Sequence, residues 1–220
     1  MENGFEIIDG VISELECRQL LIELNKASRQ EKRAGQRHLM SNEAVSRFAN
    51  EDRFLKIAQK HLGNGAVPYR ATLFDKSPRA NWLVVWHQDT ALPLTKRFES
   101  DDWVPWSVKK GIRYAHAPTW ALEKIVALRV SLDDSTEENG PLRVISGSHK
   151  YGVLEDSEVL NIAHSETPVN CITKIGGVVA MRPLLIHAFS KSRNNKPRRV
   201  LHIEYASDLR LGDNIQLAIA

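Results

Sequence analysis

Two histidines a hundred residues apart, His87 in Trp86-His87-Gln88-Asp89 and His187 after Leu184-Leu185-Ile186, stand with Asp89 as the residues best suited to chemistry. Two neutral imidazoles and one carboxylate can occupy one face of an octahedral ferrous ion and leave the opposite face open, the donor set of non-haem Fe(II) oxygen chemistry. In an extended segment residues i and i+2 point to the same side, so His87 and Asp89 can reach one ion while Gln88 turns away. The third donor must arrive on another strand, and the apolar run from Gly177 to Ile186 delivers His187 at its end. A lone His-x-Asp also fits a hydrogen-bonded turn, and a histidine closing an apolar run also fits a half-buried packing residue. Arg198, eleven residues beyond His187, adds a planar guanidinium fork of the kind that grips a carboxylate with two parallel hydrogen bonds.

These donors converge only if the chain folds around them. Ser13-Glu14-Leu15-Glu16 reads as a capping box that opens a helix, continued by the apolar stripe Cys17, Leu20, Leu21 and Leu24. A second helix is expected from near Ser41, and a third, with Phe54, Leu55, Ala58 and Leu62, ends at Gly63-Asn64-Gly65. From about Ala66 the pattern changes to short strands: 67–74, 82–86, 125–132, 142–145, 169–175, 178–181, 184–186 and 199–205. They are separated by turn signals such as Asn139-Gly140-Pro141 rather than by helices, which predicts antiparallel sheets. The expected fold is mainly β with N-terminal helices (α+β), a jelly roll with helices against one sheet.

Composition narrows the function classes. The 220 residues contain 42% hydrophobic side chains, enough for a packed core. With no linker or repeat, one domain is expected over 1–220: a helical part over 1–65, a jelly-roll core over 66–206 and a tail over 207–220. Thirty basic and 27 acidic side chains are intermixed, with a formal charge of +3, so no clustered footprint for nucleic acid stands out. The N-terminal residues lack the blocks of a secretory signal and no apolar stretch is long enough to cross a bilayer, so a cytoplasmic protein without a membrane partner is expected. Cys17 and Cys171 have no paired spacing and are expected as buried free thiols. Oligomeric state leaves no mark on the sequence.

Three stretches carry a resemblance. Glu138-Asn139-Gly140-Pro141-Leu142-Arg143-Val144-Ile145-Ser146-Gly147-Ser148-His149-Lys150, the His87-Gln88-Asp89 segment, and Leu184 through Arg199 resemble, in order and spacing, the phytanoyl-CoA dioxygenase family of Fe(II)/2-oxoglutarate oxygenases. The resemblance covers about residues 66 to 206 and implies a double-stranded β-helix, the jelly-roll form of that family. It implies iron held by His87, Asp89 and His187, with Arg198 pairing with the distal carboxylate of 2-oxoglutarate. The implied reaction is a dioxygen-dependent hydroxylation of a small-molecule substrate, with release of succinate and carbon dioxide. Asp89 favours hydroxylation over halogenation, since related halogenases replace the carboxylate with a small residue.

Other positions bear on this reading. Arg199 competes with Arg198, because neighbours on a strand point to opposite sides; alternation groups Arg198 with Val200, His202 and Glu204 without saying which face lines the site. The family's offset from the second histidine favours Arg198. The aromatic stretch from Thr90 to Glu123 reads as a cover over the open iron face, or as a loop merely anchored by its rings. The family places a tryptophan in its cosubstrate pocket at about the position of Trp106. Where it often has a small hydroxyl residue two places after the second histidine, this chain has Phe189, and Ser190 or Ser192 can compensate. Arg129 either faces the barrel interior and holds an acidic substrate or pairs with Asp133 or Asp134; His149 suits a structural hydrogen bond, while His38, His61 and His164 are expected to face solvent. The alternatives are a cupin-like metal enzyme that does not use 2-oxoglutarate and a non-catalytic jelly-roll binding protein.

Overall fold

The structure, a computed structural model, describes residues 1–27, 35–76, 81–194 and 196–220. A six-stranded antiparallel sheet runs in the order β1 (Phe5–Ile8), β11 (Val178–Met181), β8 (Ile125–Ser131), β13 (Arg198–Ala206), β3 (Val67–Lys76) and β2 (Gly35–Arg37). A four-stranded antiparallel sheet, β10 (Val169–Cys171), β9 (Leu142–Val144), β12 (His187–Phe189) and β4 (Val84–His87), packs against it. The two make the jelly roll.

Alternation along the central strands feeds two apolar clusters at once. Every residue of β8 is buried: Ala127 packs between the sheets with Leu142, Val144, Val179, Met181 and Phe189, whereas Val126, Leu128 and Val130 face the other way. That other face is covered by α1 (Glu14–Ala27), α2 (Glu43–Ala49) and α3 (Asp52–Leu62). Cys17, Leu20, Leu24, Val45, Phe48 and Phe54 meet Leu201, Ile203 and Tyr205 there. Each large apolar side chain so buried contributes roughly 1.5–3 kcal/mol.

The helix signals hold. The Glu16 carboxylate accepts from the Ser13 backbone N–H at 2.7 Å and the Glu16 N–H donates back to Ser13 Oγ at 3.3 Å, closing the capping box. Helix α3 ends at Gly63, whose φ of 85° suits glycine.

Other expectations need correction. The apolar segment Leu184–Ile186 is a turn, not a strand: Pro183 fixes the backbone, the Leu185 N–H bonds the Arg182 carbonyl at 3.1 Å, and pairing begins at His187. Residues 90–123, expected as a loop, carry regular structure: β5 (Ala91–Leu94), β6 (Trp106–Lys109) and β7 (Ile112–His116) form a sheet in the order β5-β7-β6, followed by α4 (Thr119–Leu122). Residues 1–65 also supply β1 and β2 to the large sheet. The tail holds a hairpin, β14 (Arg210–Gly212) and β15 (Ile215–Gln216), whose Leu211 and following Leu217 bury with Leu92, Leu94 and Trp103 of that segment. Finally α5 (Asp156–Ser165) seals the outer face of the smaller sheet with Val159 and Ala163 against Ile145 and Ile186.

Candidate metal centre

Strand pairing brings the two distant histidines together. His187 on β12 is the direct cross-strand partner of His87 on β4, and their ring centres lie 4.2 Å apart. Asp89 follows β4 by two residues, and its N–H is held by the Pro183 carbonyl at 2.9 Å, so the turn before His187 also positions the carboxylate. One donor atom from each of His87, Asp89 and His187 lies within 4.8 Å of the others.

The protonation pattern follows from the partners. Nδ1 of His87 faces the Val85 carbonyl and Nδ1 of His187 the Leu185 carbonyl, each at 2.9 Å. A carbonyl only accepts, so each Nδ1 carries a proton and each Nε2 is the nitrogen turned to the cluster. Both Nε2 atoms face Asp89, that of His87 3.8 Å from Oδ1 and that of His187 3.5 Å from Oδ2. Burial pushes the His187 imidazole down to about 3 against the pull of Asp89, so it is neutral. Burial acts to raise the Asp89 carboxyl, but His187 and His87, followed by His202 and Arg70, outweigh it and hold the group well below the usual carboxylate range. Three acceptor groups aimed at one point repel each other unless a cation sits between them. Two imidazole nitrogens and one carboxylate oxygen are a donor set that fits a ferrous ion with open positions.

Gln88 turns away, as the spacing requires, into a buried clamp. Its amide donates to the Leu184 carbonyl at 2.7 Å and the Gly152 carbonyl at 2.8 Å, while its oxygen accepts from the Leu154 N–H at 2.9 Å.

Arg198 opens β13 on the interior face, 3% exposed, with Nε donating to the Asn139 carbonyl at 3.3 Å. Arg199 points the other way and forks onto Asp133 with two bonds of 2.7 Å. Arg199 thus has its carboxylate and, among the described residues, Arg198 has none in ion-pairing distance. Its cross-strand neighbour is Lys76, also buried, and like charges placed opposite each other are destabilising without an anion. Burial and Arg129 push the Arg198 guanidinium down to about 9, and burial and Arg198 push Lys76 down to about 8.

Other sequence candidates fall elsewhere. Ser190 meets Lys76 through its backbone carbonyl. Ser192 is occupied locally, its hydroxyl on the Asn194 carbonyl at 2.8 Å and its N–H on Asn81 Oδ1 at 2.7 Å. The Trp106 ring packs edge-on to Phe98 at 5.4 Å and beneath Arg97; among the described residues no polar or ring contact joins it to the donor cluster. Arg129 faces the interior and does not pair with Asp133 or Asp134. His164 is exposed, but His38 and His61 are not the solvent-facing residues expected: Nε2 of His38 lies 2.9 Å from the Tyr114 hydroxyl, and the His61 ring is buried beside Glu6 at 3.3 Å.

A buried polar chain lies beyond what the sequence reading singles out. Glu204 accepts from the Tyr69 hydroxyl at 2.8 Å and from His202 Nε2 at 3.1 Å, with Arg70 3.4 Å away. Burial acts to raise Glu204, yet Arg70 and His202 lower it, keeping it ionised. A signal for it exists: alternation puts His202 and Glu204 on the face of Arg198, and polar residues there need partners.

Residues 1–200 match the protein family described as phytanoyl-CoA dioxygenase (PhyH). Over 190 residues the chain is 25% identical to L-proline trans-4-hydroxylase of Streptomyces griseoviridis, a match covering 74% of this chain and 63% of that protein. The chain therefore spans less than two thirds of the length of this curated relative. The solved structure of AviO1 from Streptomyces viridochromogenes is similar with a TM-score of 0.68 at 19% identity, covering 93% of this chain and 90% of that one. EctD from S. alaskensis, solved with 2-oxoglutarate and 5-hydroxyectoine, gives a TM-score of 0.70 at 20% identity, covering 94% of this chain and 73% of that one. The solved structures establish a common fold; the family match runs through both sheets and all three donors, and the chain belongs to the phytanoyl-CoA dioxygenase family.

Proposed function

We propose that this protein is an Fe(II)- and 2-oxoglutarate-dependent dioxygenase that hydroxylates a small molecule, with release of succinate and carbon dioxide. The observation that carries the reading is the convergence of two Nε2 atoms and one carboxylate within 4.8 Å, beside a buried arginine with no carboxylate partner among the described residues. Family membership and the hydroxylase relative support it.

In this reading His87, Asp89 and His187 hold the iron and Arg198 grips the distal carboxylate of 2-oxoglutarate. Iron, 2-oxoglutarate and dioxygen, when bound, supply an oxidative decarboxylation coupled to insertion of one oxygen atom into a C–H bond. The protein does the rest. Carbonyl bonds to both Nδ1 atoms lock the rings and their tautomers, so little reorganisation is needed to bind metal. Phe189, Leu142 and Val144 keep the surroundings apolar, which strengthens the grip of Arg198 on an anion and limits water.

Anaerobic addition of 2-oxoglutarate to Fe(II)-loaded protein is expected to raise a visible metal-to-ligand charge-transfer band. A flat spectrum overturns the assignment. His187→Ala is expected to weaken Fe(II) binding more than about a hundredfold. Arg198→Met is expected to keep iron and lose 2-oxoglutarate affinity by about tenfold or more, since a charge-assisted pair is removed. Unchanged affinity in Arg198→Met would instead favour a metal enzyme that does not use the keto acid.

A further inference from the structure

Arg129 lies at the centre of β8, 4% exposed, in the apolar interior formed by Ala127, Val179, Met181, Leu142 and Val144. A buried guanidinium is costly unless an anion compensates it. No carboxylate among the described residues lies within ion-pairing distance; instead Nη1 donates to His202 Nδ1 at 3.1 Å. Arginine only donates, so His202 Nδ1 is the acceptor, and its Nε2–H passes on to Glu204 at 3.1 Å. His202 thus brings Arg129 a neutral ring, while the Glu204 charge is taken up by Arg70 and Tyr69. Burial outweighs the pull of the more distant Asp89 carboxylate and pushes Arg129 down to about 10, which leaves it charged at neutral pH.

Its neighbours define what is missing. The Phe189 ring lies edge-on to His187, 6.0 Å between centres, and carries the Arg129 guanidinium at 4.8 Å and the Arg198 guanidinium at 5.4 Å. Two buried cations, neither with a carboxylate in ion-pairing distance among the described residues, therefore flank one ring that borders the donor cluster. Their remaining N–H groups are not sealed off: the buried polar atoms without a partner, among the described residues, belong to His61, Thr72, Arg143 and His149.

We propose that Arg129 is a second carboxylate-binding group of the barrel interior, and that with Arg198 it clasps a dicarboxylate by both ends without help from the metal. This rests on the reading above that the interior takes 2-oxoglutarate and deepens it: Arg198 holds the distal carboxylate and Arg129 the carboxylate nearer His187. The chain then binds the dicarboxylate before, or in the absence of, iron.

The test uses full-length protein kept metal-free with a chelator, titrated calorimetrically with glutarate and with pentanoate, a monocarboxylate of the same carbon length. Glutarate is expected to bind at least about tenfold tighter, as a second charge-assisted pair requires. Arg129→Met, which keeps an unbranched side chain against Phe189, is expected to erase that preference, and Arg129→Lys to restore part of it; thermal unfolding checks that both fold. Equal affinities for the two acids in the wild-type protein overturn the proposal whatever the variants do. So does an Arg129→Met protein that binds glutarate within about twofold of wild type. A charge-transfer band with Fe(II) and 2-oxoglutarate but no metal-free preference for glutarate keeps the oxygenase reading and ends this one. A preference lost in Arg129→Met without any band does the reverse.

Discussion

Between His87 and Asp89, the Gln88 side chain leaves the donor cluster and bonds at both ends, to Leu184 and Gly152 through its nitrogen and to Leu154 through its oxygen. It thereby ties β4 to the turn before His187 and to the loop before α5, the segments whose relative position sets the donor geometry. Gln88→Leu keeps the volume and strands two carbonyls and one N–H, at a cost of about 2–3 kcal/mol in urea unfolding of the metal-free protein. Because both flanking donors lose their fixed backbone, metal affinity is expected to fall about tenfold to a hundredfold in a chelator competition. Loss of stability with unchanged metal affinity would mean that the clamp supports the fold and not the donors. The donor trio is legible from residue types and i, i+2 spacing, and Arg198 from the resemblance. The clamp is not, since an i, i+2 rule says that Gln88 points away but not what waits there.

At the scale of elements, the signals that survive are those carried by local geometry. The capping box Ser13–Glu16 is one, and Val178–Met181, whose bounds match the expected strand, is another. Segments whose state depends on a distant partner are poorly legible. Edge strand β6 is four residues long with no alternation in its exposure, and β5 contains Pro93, yet both pair with β7. Leu184–Ile186 looks β-forming but is turned by Pro183 and buried outside any strand, its polar groups met by Gln88, Ile145 and Ser148. The capping box also carries a pH prediction. Hydrogen bonds from Arg53 and from Ser13 pull the Glu16 carboxyl down to about 2, below its ordinary value of 4.5. A group depressed on folding adds stability above its unfolded value and loses it as pH falls through the folded one, so α1 loosens between about pH 4.5 and 2. Glu16→Gln is expected to flatten that limb of the acid unfolding curve, and Ser13→Ala to cost about 1 kcal/mol at neutral pH. An acid limb identical in Glu16→Gln and wild type would assign the loss to other carboxylates.

For the whole molecule the decisive question is whether the helix layer and the barrel open together. Strands β8 and β13 send alternate residues into both, Leu128 lying on the helix side of β8 and Ala127 and Arg129 on its barrel side, so neither layer can leave without exposing a shared sheet. One free thiol reports on each. Cys17 is packed under the helices, 3.8 Å from the Ser131 carbonyl, and Cys171 lies between the sheets. Burial, with Glu16 adding to it, pushes Cys17 up to about 11, and burial against the pull of Arg129 pushes Cys171 up to about 12, so neither forms a reactive thiolate in the native state. Both are expected to react with a thiol reagent at one common rate, that of global opening, with the same dependence on urea. Metal at a hundred times its dissociation constant adds about 2.7 kcal/mol to the native state and is expected to slow both reactions about a hundredfold, where opening and closing are fast. If metal slowed Cys171 alone, the helices would be opening as a separate unit, and the donor cluster would be stabilising only the sheets that carry it.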